Sequence, residues 1–282
     1  MNTPTWKAAE PPKLSPTTKL QDMRGYARVG GIIALTLVLF VFFMTGRFLK
    51  KILSRWVTYH YGIALIWARI CLRLLSLKPV VIGTPIKRGG ILASNHVSWT
   101  DIMVLRSVTK INFVSKAEVR KWPVVGYIAH VCETVFIERK RTEAKRQQAD
   151  LLERIENDEL LCLFPEGTST DGLRVLPFKS ALMSVVFLPG VRERLMVQPV
   201  TLNYIPNPDH ELPSNFYGWW GSMGFGSHIW TLATRSKGGK VEITFHDPIK
   251  VSEYEDRKRL TLDCEAAVRS SLPDHILENS VE

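Results

Sequence analysis

The stretch GILASNHVSWTDIMVL, Gly90–Leu105, decides the fold class and raises the functional question at once. Its first five residues are short, apolar and opened by glycine, as in a buried strand. From Asp101 an apolar-periodic run begins, a good helix start behind a small acidic residue. A strand that turns into a helix within a few residues is the building unit of α/β proteins, and the C-terminal ends of such strands are where open sheets take up ligands. The turn here carries Asn95 and His96, five residues ahead of Asp101.

Outward from this unit the same pattern recurs. From about Pro79, the runs VVIG, INFVSK, TVFIE, LLCLFPE, LMVQPVTL and VEITFHD are four to eight residues long, rich in Val, Ile and Phe, and bounded by Gly, Pro or polar residues. Between Glu138 and Asp158 lies a charged helix with a narrow apolar side of Leu151, Leu152 and Ile155. Strands alternating with helices predict an α/β domain over 79–282, a central, mostly parallel sheet flanked by helices. FYGWWGSMGFGSHIW, Phe216–Trp230, is expected to be a loop with an aromatic surface, and the residues after Tyr254 a final helix.

The N-terminal part differs. A flexible basic segment is expected over 1–28, then membrane-anchoring helices over 29–78. Val29–Gly46 runs 18 residues without a charge. As a helix it would reach roughly 27 Å, close to the thickness of a bilayer's hydrocarbon. It starts too late, and lacks the small-residue cleavage site, for a removed signal peptide. Beyond it, Lys51, Arg55, Arg69 and Arg73 fall near one helical stripe, with Trp56 and Trp67 on the apolar side, which predicts a helix in the membrane interface. The chain has 282 residues and a formal net charge of +10. That excess calls for an acidic partner. With a membrane segment present, the partner is an anionic membrane surface and not nucleic acid. The four cysteines lie far apart without metal-ligand spacing, which argues against zinc and for a reducing compartment.

His96 has three readings: a satisfied core histidine, a metal ligand, or a base. A strand-to-helix turn can bring Asp101 to its ring, fix the tautomer and raise its basicity, and such a pair can take a proton from a hydroxyl. LLCLFPEGTSTDG, Leu160–Gly172, ends a second strand in Glu166, Gly167 and Thr168. A loop of this kind lets backbone approach a ligand. Ser169 lacks the G-x-S-x-G setting of a hydrolase nucleophile, and no G-x-x-x-x-G-K-[ST] phosphate loop occurs. A metal site from His96, Asp101 and Glu166 has no spacing to support it. TVFIERKR delivers Arg139, Lys140 and Arg141, a possible anion clamp.

Taken together, NHVSWTD matches the N-H-x-x-x-x-D signature of the 1-acyl-glycerol-3-phosphate acyltransferase family. VFIERKR resembles its second block, FPEGT its third and VQPVTL its fourth, in order, across about Ile91–Leu202. The resemblance implies that His96 is the general base, that Asp101 orients it, and that the acceptor oxygen attacks the thioester of acyl carrier protein or acyl-CoA directly. It implies acceptor contacts from Arg139, Glu166, Gly167, Thr168 and Ser169, a donor-side wall at Pro199, no metal or bound cofactor, and a lysolipid acceptor. A bacterial inner membrane, with the catalytic domain facing the cytoplasm, is the expected location.

One departure matters. The family's third block continues with arginine where this chain has Ser169. Losing that cation at a phosphate would cost about 1.5–3 kcal/mol, so either Arg174 or Lys179 compensates or the acceptor is not a phosphate monoester. The EGTS-x-DG…LPFKS form resembles the lyso-ornithine lipid O-acyltransferase branch. The alternatives are an acyltransferase making phosphatidic acid, a thioester hydrolase using the same His/Asp pair, and a non-catalytic anionic-membrane-binding protein.

Overall fold

The computed structural model describes residues 6–7, 9–52, 59–87, 89–121, 125–137, 144–274 and 276. Helices α1 (Lys19–Ile52) and α2 (Tyr59–Leu74) precede strands β1 (Leu77–Ile82) and β2 (Gly90–Ser94). There follow α3 (Thr100–Val108), β3 (Asn112–Lys116), α4 (Val125–Val131), β4 (Val135–Ile137), α5 (Ala144–Glu156) and β5 (Leu160–Leu163). The chain closes with β6 (Met196–Ile205), α6 (Phe225–Arg235), β7 (Gly239–Phe245), β8 (Ile249–Lys250) and α7 (Arg257–Ser270). Every expected strand is present, and α5 falls within the expected charged helix, of which residues 138–143 lie outside the described residues.

The described strands form one sheet in the order β1-β7-β6-β2-β5-β3-β4, with β8 beside the start of β6. All pairings are parallel except those of β6 with β7 and β8. β2 is fully buried, held between β5 and β6. Its alternation decides which layer each residue joins. Leu92 faces the core shared with α2, α3 and α6, whereas Ile91 and Ala93 face the core closed by α5 and α7. Both faces of the parallel strands are therefore covered, which explains their continuous apolar runs.

Three features differ from expectation. Helix α1 begins at Lys19, inside the stretch expected to be flexible, and Trp6 and Ala9 both make hydrogen bonds to the folded domain. Helix α2 is packed on the protein's own core: Ala68, Cys71, Leu72 and Leu75, at helical spacing, are buried, and Arg69 donates to the Ser107 carbonyl at 2.7 Å. Trp67 donates to Thr36 of α1 at 2.9 Å, and Arg55 and Trp56 lie outside the described residues. In the aromatic stretch, Phe216, Tyr217 and Trp220 are buried, and from Phe225 onward it is helix α6. An aromatic cluster with this much area is too costly to leave in water when a core is within reach.

Helix α1 is the one described helix long and apolar enough to cross a membrane. Arg28 ties one end to the Ala233 and Ser236 carbonyls (3.0 and 2.9 Å) and Arg47 ties the other to Glu133. Ile33, Leu37, Val38, Val41, Phe42 and Phe48 remain exposed between and beside them. An apolar strip of that extent marks a contact with membrane or partner.

Candidate active site

The register of the sheet builds the site. Ala93 of β2 lies opposite Leu163 of β5 in parallel pairing, so residues three beyond each, His96 and Glu166, leave the same edge side by side. The backbone N–H of His96 donates to Glu166 Oε1 at 2.6 Å, and that of Leu176 donates to Oε2 at 2.8 Å. Asn95 continues β2 with its side chain, exchanging two hydrogen bonds with the backbone of Leu202 on β6 (2.9 and 2.8 Å). The backbone N–H groups of Thr170 and Trp219 close on the carbonyls of His96 and Val97. The His96 turn is thus held from both neighbouring strands.

His96 Nδ1 lies 2.7 Å from Asp101 Oδ2. The Asp101 carboxylate is fully buried, whereas a fifth of the His96 side chain remains exposed. Asp101 Oδ2 also accepts the N–H groups of Val97 (2.8 Å) and Ser98 (3.1 Å), and Oδ1 accepts the Tyr204 hydroxyl at 2.7 Å. These donors compensate the desolvation of the carboxylate and fix its orientation. With its other partners all donors, Asp101 accepts a hydrogen bond from Nδ1–H, which leaves the lone pair on Nε2. The Phe164 ring stacks on the imidazole at 4.1 Å between centroids, 19° from parallel, and sets its plane. Burial, reinforced by the charge of Asp101, pushes the Tyr204 phenol well above its ordinary value, so it stays a donor. Thr100 stands 2.9 Å behind it. Tyr204→Phe removes one donor from a buried carboxylate, worth about 1–2 kcal/mol. Steady-state kinetics should show kcat lower by about 5- to 30-fold with the acceptor KM little changed.

Trp99, inside the same motif, donates from Nε1 to His228 Nδ1 of α6 at 2.9 Å. Burial pushes His228 down to about 4, so it is a neutral acceptor for the indole and buttresses the turn.

The residues of the loop after β5 take different parts. Glu166 is fully buried with both oxygens occupied by backbone N–H groups, so it braces the His96 turn and is not turned toward a ligand. Burial pushes its carboxyl up to about 8, against those two hydrogen bonds, which favour the charged form. Gly167 has φ +71°, and a Cβ there would sit 3.0 Å from Leu182 and 3.4 Å from the Lys179 ammonium. Glycine is needed on both counts. Thr168 Oγ1 accepts the Trp6 backbone N–H at 3.1 Å. Ser169 is nearly buried and spends its hydroxyl on the Trp219 carbonyl. Arg174 pairs with Asp171 through Nε and Nη2, each at 3.3 Å. Arg139 lies outside the described residues.

Pro199 is buried within β6, opposite Ala93, and its carbonyl accepts the His246 N–H at 3.1 Å. Its missing N–H falls where β6 changes partner from β8 at Val197 to β7 at Val200, so no ladder bond is lost. Among the described residues, no group of three or more His, Cys, Asp or Glu is arranged to hold a metal ion. Asn95 is the first residue of the N-H-x-x-x-x-D signature, but its bonds to Leu202 were not foreseen, and Phe164 and Tyr204 were given no role from the sequence.

Comparison with known proteins bears on family and fold. The Acyltransferase family model matches residues 78–203, from within β1 to within β6. The chain is 40% identical over 279 residues to the lyso-ornithine lipid O-acyltransferase of Rhodobacter capsulatus, covering 96% of this chain and 98% of that protein. It is 36% identical to the enzyme of the same name from Brucella abortus, over 68% of this chain and 74% of the other. In fold it is similar to the crystal structure of the 1-acyl-sn-glycerophosphate acyltransferase of Thermotoga maritima, with a TM-score of 0.59 and 21% identity over 92% of this chain and 99% of that one. The chain therefore belongs to the acyltransferase family of 1-acyl-glycerol-3-phosphate and lyso-ornithine lipid acyltransferases, and it is a membrane-associated lysolipid O-acyltransferase.

Proposed function

We propose that the enzyme completes ornithine lipid by moving an acyl group from acyl carrier protein or acyl-CoA to the hydroxyl of lyso-ornithine lipid. His96 Nε2 takes the hydroxyl proton while Asp101 holds Nδ1–H and supports the imidazolium that forms. The acceptor oxygen attacks the thioester carbonyl, the C–S bond breaks, and the departing sulfur takes the proton back from His96. No acyl-enzyme is needed, because the base activates the acceptor and not a protein nucleophile. The observation that carries this mechanism is the 2.7 Å contact between a part-exposed His96 and a wholly buried Asp101 at the C-terminal end of β2.

Two findings support the aminolipid as acceptor. Ser169 stands where the family pattern has arginine, and its hydroxyl is spent on Trp219. The two relatives described above, at 40% and 36% identity, carry that acceptor in their names. In this reading Gly167, Thr168 and the cations Arg139, Arg174 and Lys179 form the acceptor side, with Glu166 behind them as a brace. A lysophosphatidate acceptor is the second reading, favoured by the Lys179 ammonium over Gly167. Within the expected anchor region 29–78 we place the membrane contact on α1, with α2 packed on the core of the acyltransferase domain, 79–282. The exposed strip of α1 would lie in lipid at the inner membrane, the catalytic domain on the cytoplasmic side, and the basic surface toward anionic headgroups and an acidic carrier protein.

The test is acyl transfer by the purified full-length protein in detergent, with labelled acyl carrier protein and acyl-CoA each offered to lyso-ornithine lipid and to lysophosphatidate. Label is expected mainly in ornithine lipid. Preferential labelling of phosphatidic acid would establish the second reading, and label recovered chiefly as free fatty acid would make the protein a hydrolase.

A further inference from the structure

The N-terminal arm does not hang free. The Trp6 backbone N–H reaches Thr168 Oγ1 at 3.1 Å, and the Arg174 guanidinium stands 4.7 Å over the Trp6 ring. The Trp6 and Trp220 rings lie 6.4 Å apart, and Trp220 Nε1 donates to the Ala9 carbonyl at 2.8 Å. Further along, Arg235 of α6 donates to the Ser15 carbonyl, Leu14 packs on the core, and α1 begins at Lys19. The arm thus laces the loop after β5 to the start of the membrane helix.

What it touches there is selective. Thr168 closes the FPEGT run, and its Oγ1 is the atom that accepts the Trp6 N–H. Arg174 is a cation beside a loop whose neighbouring position holds Ser169. Its Nε and Nη2 face Asp171, which is buried, and its flat side faces the indole. Five N–H donors in a fixed plane allow such a group to be held on one edge and one face while the remaining N–H groups meet an anionic oxygen. An arginine on a flexible stem loses far more freedom on binding than one already stacked and paired.

We propose that Trp6 is an acceptor-specificity determinant: the arm presses its indole on Arg174 and its backbone N–H on Thr168, and so presents the guanidinium to a carboxylate of the acceptor headgroup. This rests on the reading that the loop after β5 receives the acceptor. Trp6 acts through Arg174 and is a positioning residue. The pairing with Asp171 offsets the charge of Arg174 itself, which suits a headgroup carrying both carboxylate and ammonium better than a free arginine would.

The experiment is steady-state kinetics on full-length Trp6→Ala, Trp6→Phe, Arg174→Ala and the Trp6→Ala/Arg174→Ala double variant, with lyso-ornithine lipid as the varied acceptor. Trp6→Ala keeps the backbone N–H and removes only the ring. It should raise the acceptor KM about tenfold, the scale of a desolvated cation–aromatic contact, with kcat and donor KM changed much less. Trp6→Phe should recover most of that loss. The double variant should be no worse than Arg174→Ala alone, because one residue works through the other. If Arg174→Ala moves the acceptor KM and Trp6→Ala does not, or if their effects multiply, the role of the arm is refuted. If Arg174→Ala leaves the acceptor KM unmoved, the acceptor-loop reading itself falls.

Discussion

His96→Ala is expected to lower acyl transfer by a factor of ~10²–10⁴, the contribution of a positioned general base. The substitution removes a ring that is part-exposed and stacked on Phe164, so the protein should still fold. Thermal unfolding and acceptor binding measured on the same preparation separate lost chemistry from lost structure. Transfer at the wild-type rate by a folded His96→Ala protein would remove the mechanism and leave the chain as a lipid-binding scaffold. The loss should fall on kcat, because the base acts on the proton only as the acceptor oxygen attacks.

Asp101→Asn should be nearly as damaging, for a different reason. The carboxylate accepts from His96, Val97, Ser98 and Tyr204 and has no donor of its own. An amide of the same shape has one acceptor oxygen and must point its NH₂ at groups that are themselves donors. The escape open to it is to donate to Nδ1, which moves the ring proton to Nε2 and removes the base. The same exchange in a Ser-His-Asp triad costs about 10⁴ in kcat by setting the wrong tautomer, and a loss of ~10³–10⁴ is expected here. Nitrogen NMR of the labelled imidazole reads the tautomer directly. Retention of the Nδ1–H form in an inactive Asp101→Asn protein would show that the loss does not come from the tautomer. The variant should also be less stable by about 1–3 kcal/mol, the cost of a buried donor left unmet.

Much of the fold was readable because short apolar runs bounded by Gly, Pro and polar residues admit few other structures. The His96–Asp101 pairing was readable from the strand, the turn and the five-residue spacing. Other parts were not, for physical reasons. The role of Glu166 depends on which backbone N–H groups point at it, and those belong to His96 and Leu176, which only tertiary structure brings near. Phe164 and Asn95 act through a neighbouring strand or loop, so their partners are hidden until the sheet order is known. Helix α2 carries cations and a buried stripe together, and periodicity alone cannot say which side meets lipid and which meets protein. The N-terminal arm is rich in proline and polar residues, and its anchoring rests on a few distant contacts.

The parallel pairing of β2 with β5 has a consequence for how this chain tolerates change. His96 and Glu166 are separated by everything from α3 to α5, yet each stands three residues past a matched pair, Ala93 and Leu163. Their spacing in the molecule is set by one rung of the sheet and not by the length of chain between them. Insertions or deletions in the loops of that intervening stretch can lengthen or shorten the detour while both motifs stay in place. Slipping either strand by a single residue, with no change in the chain's overall length, would turn His96 and Glu166 to opposite faces and dismantle the site.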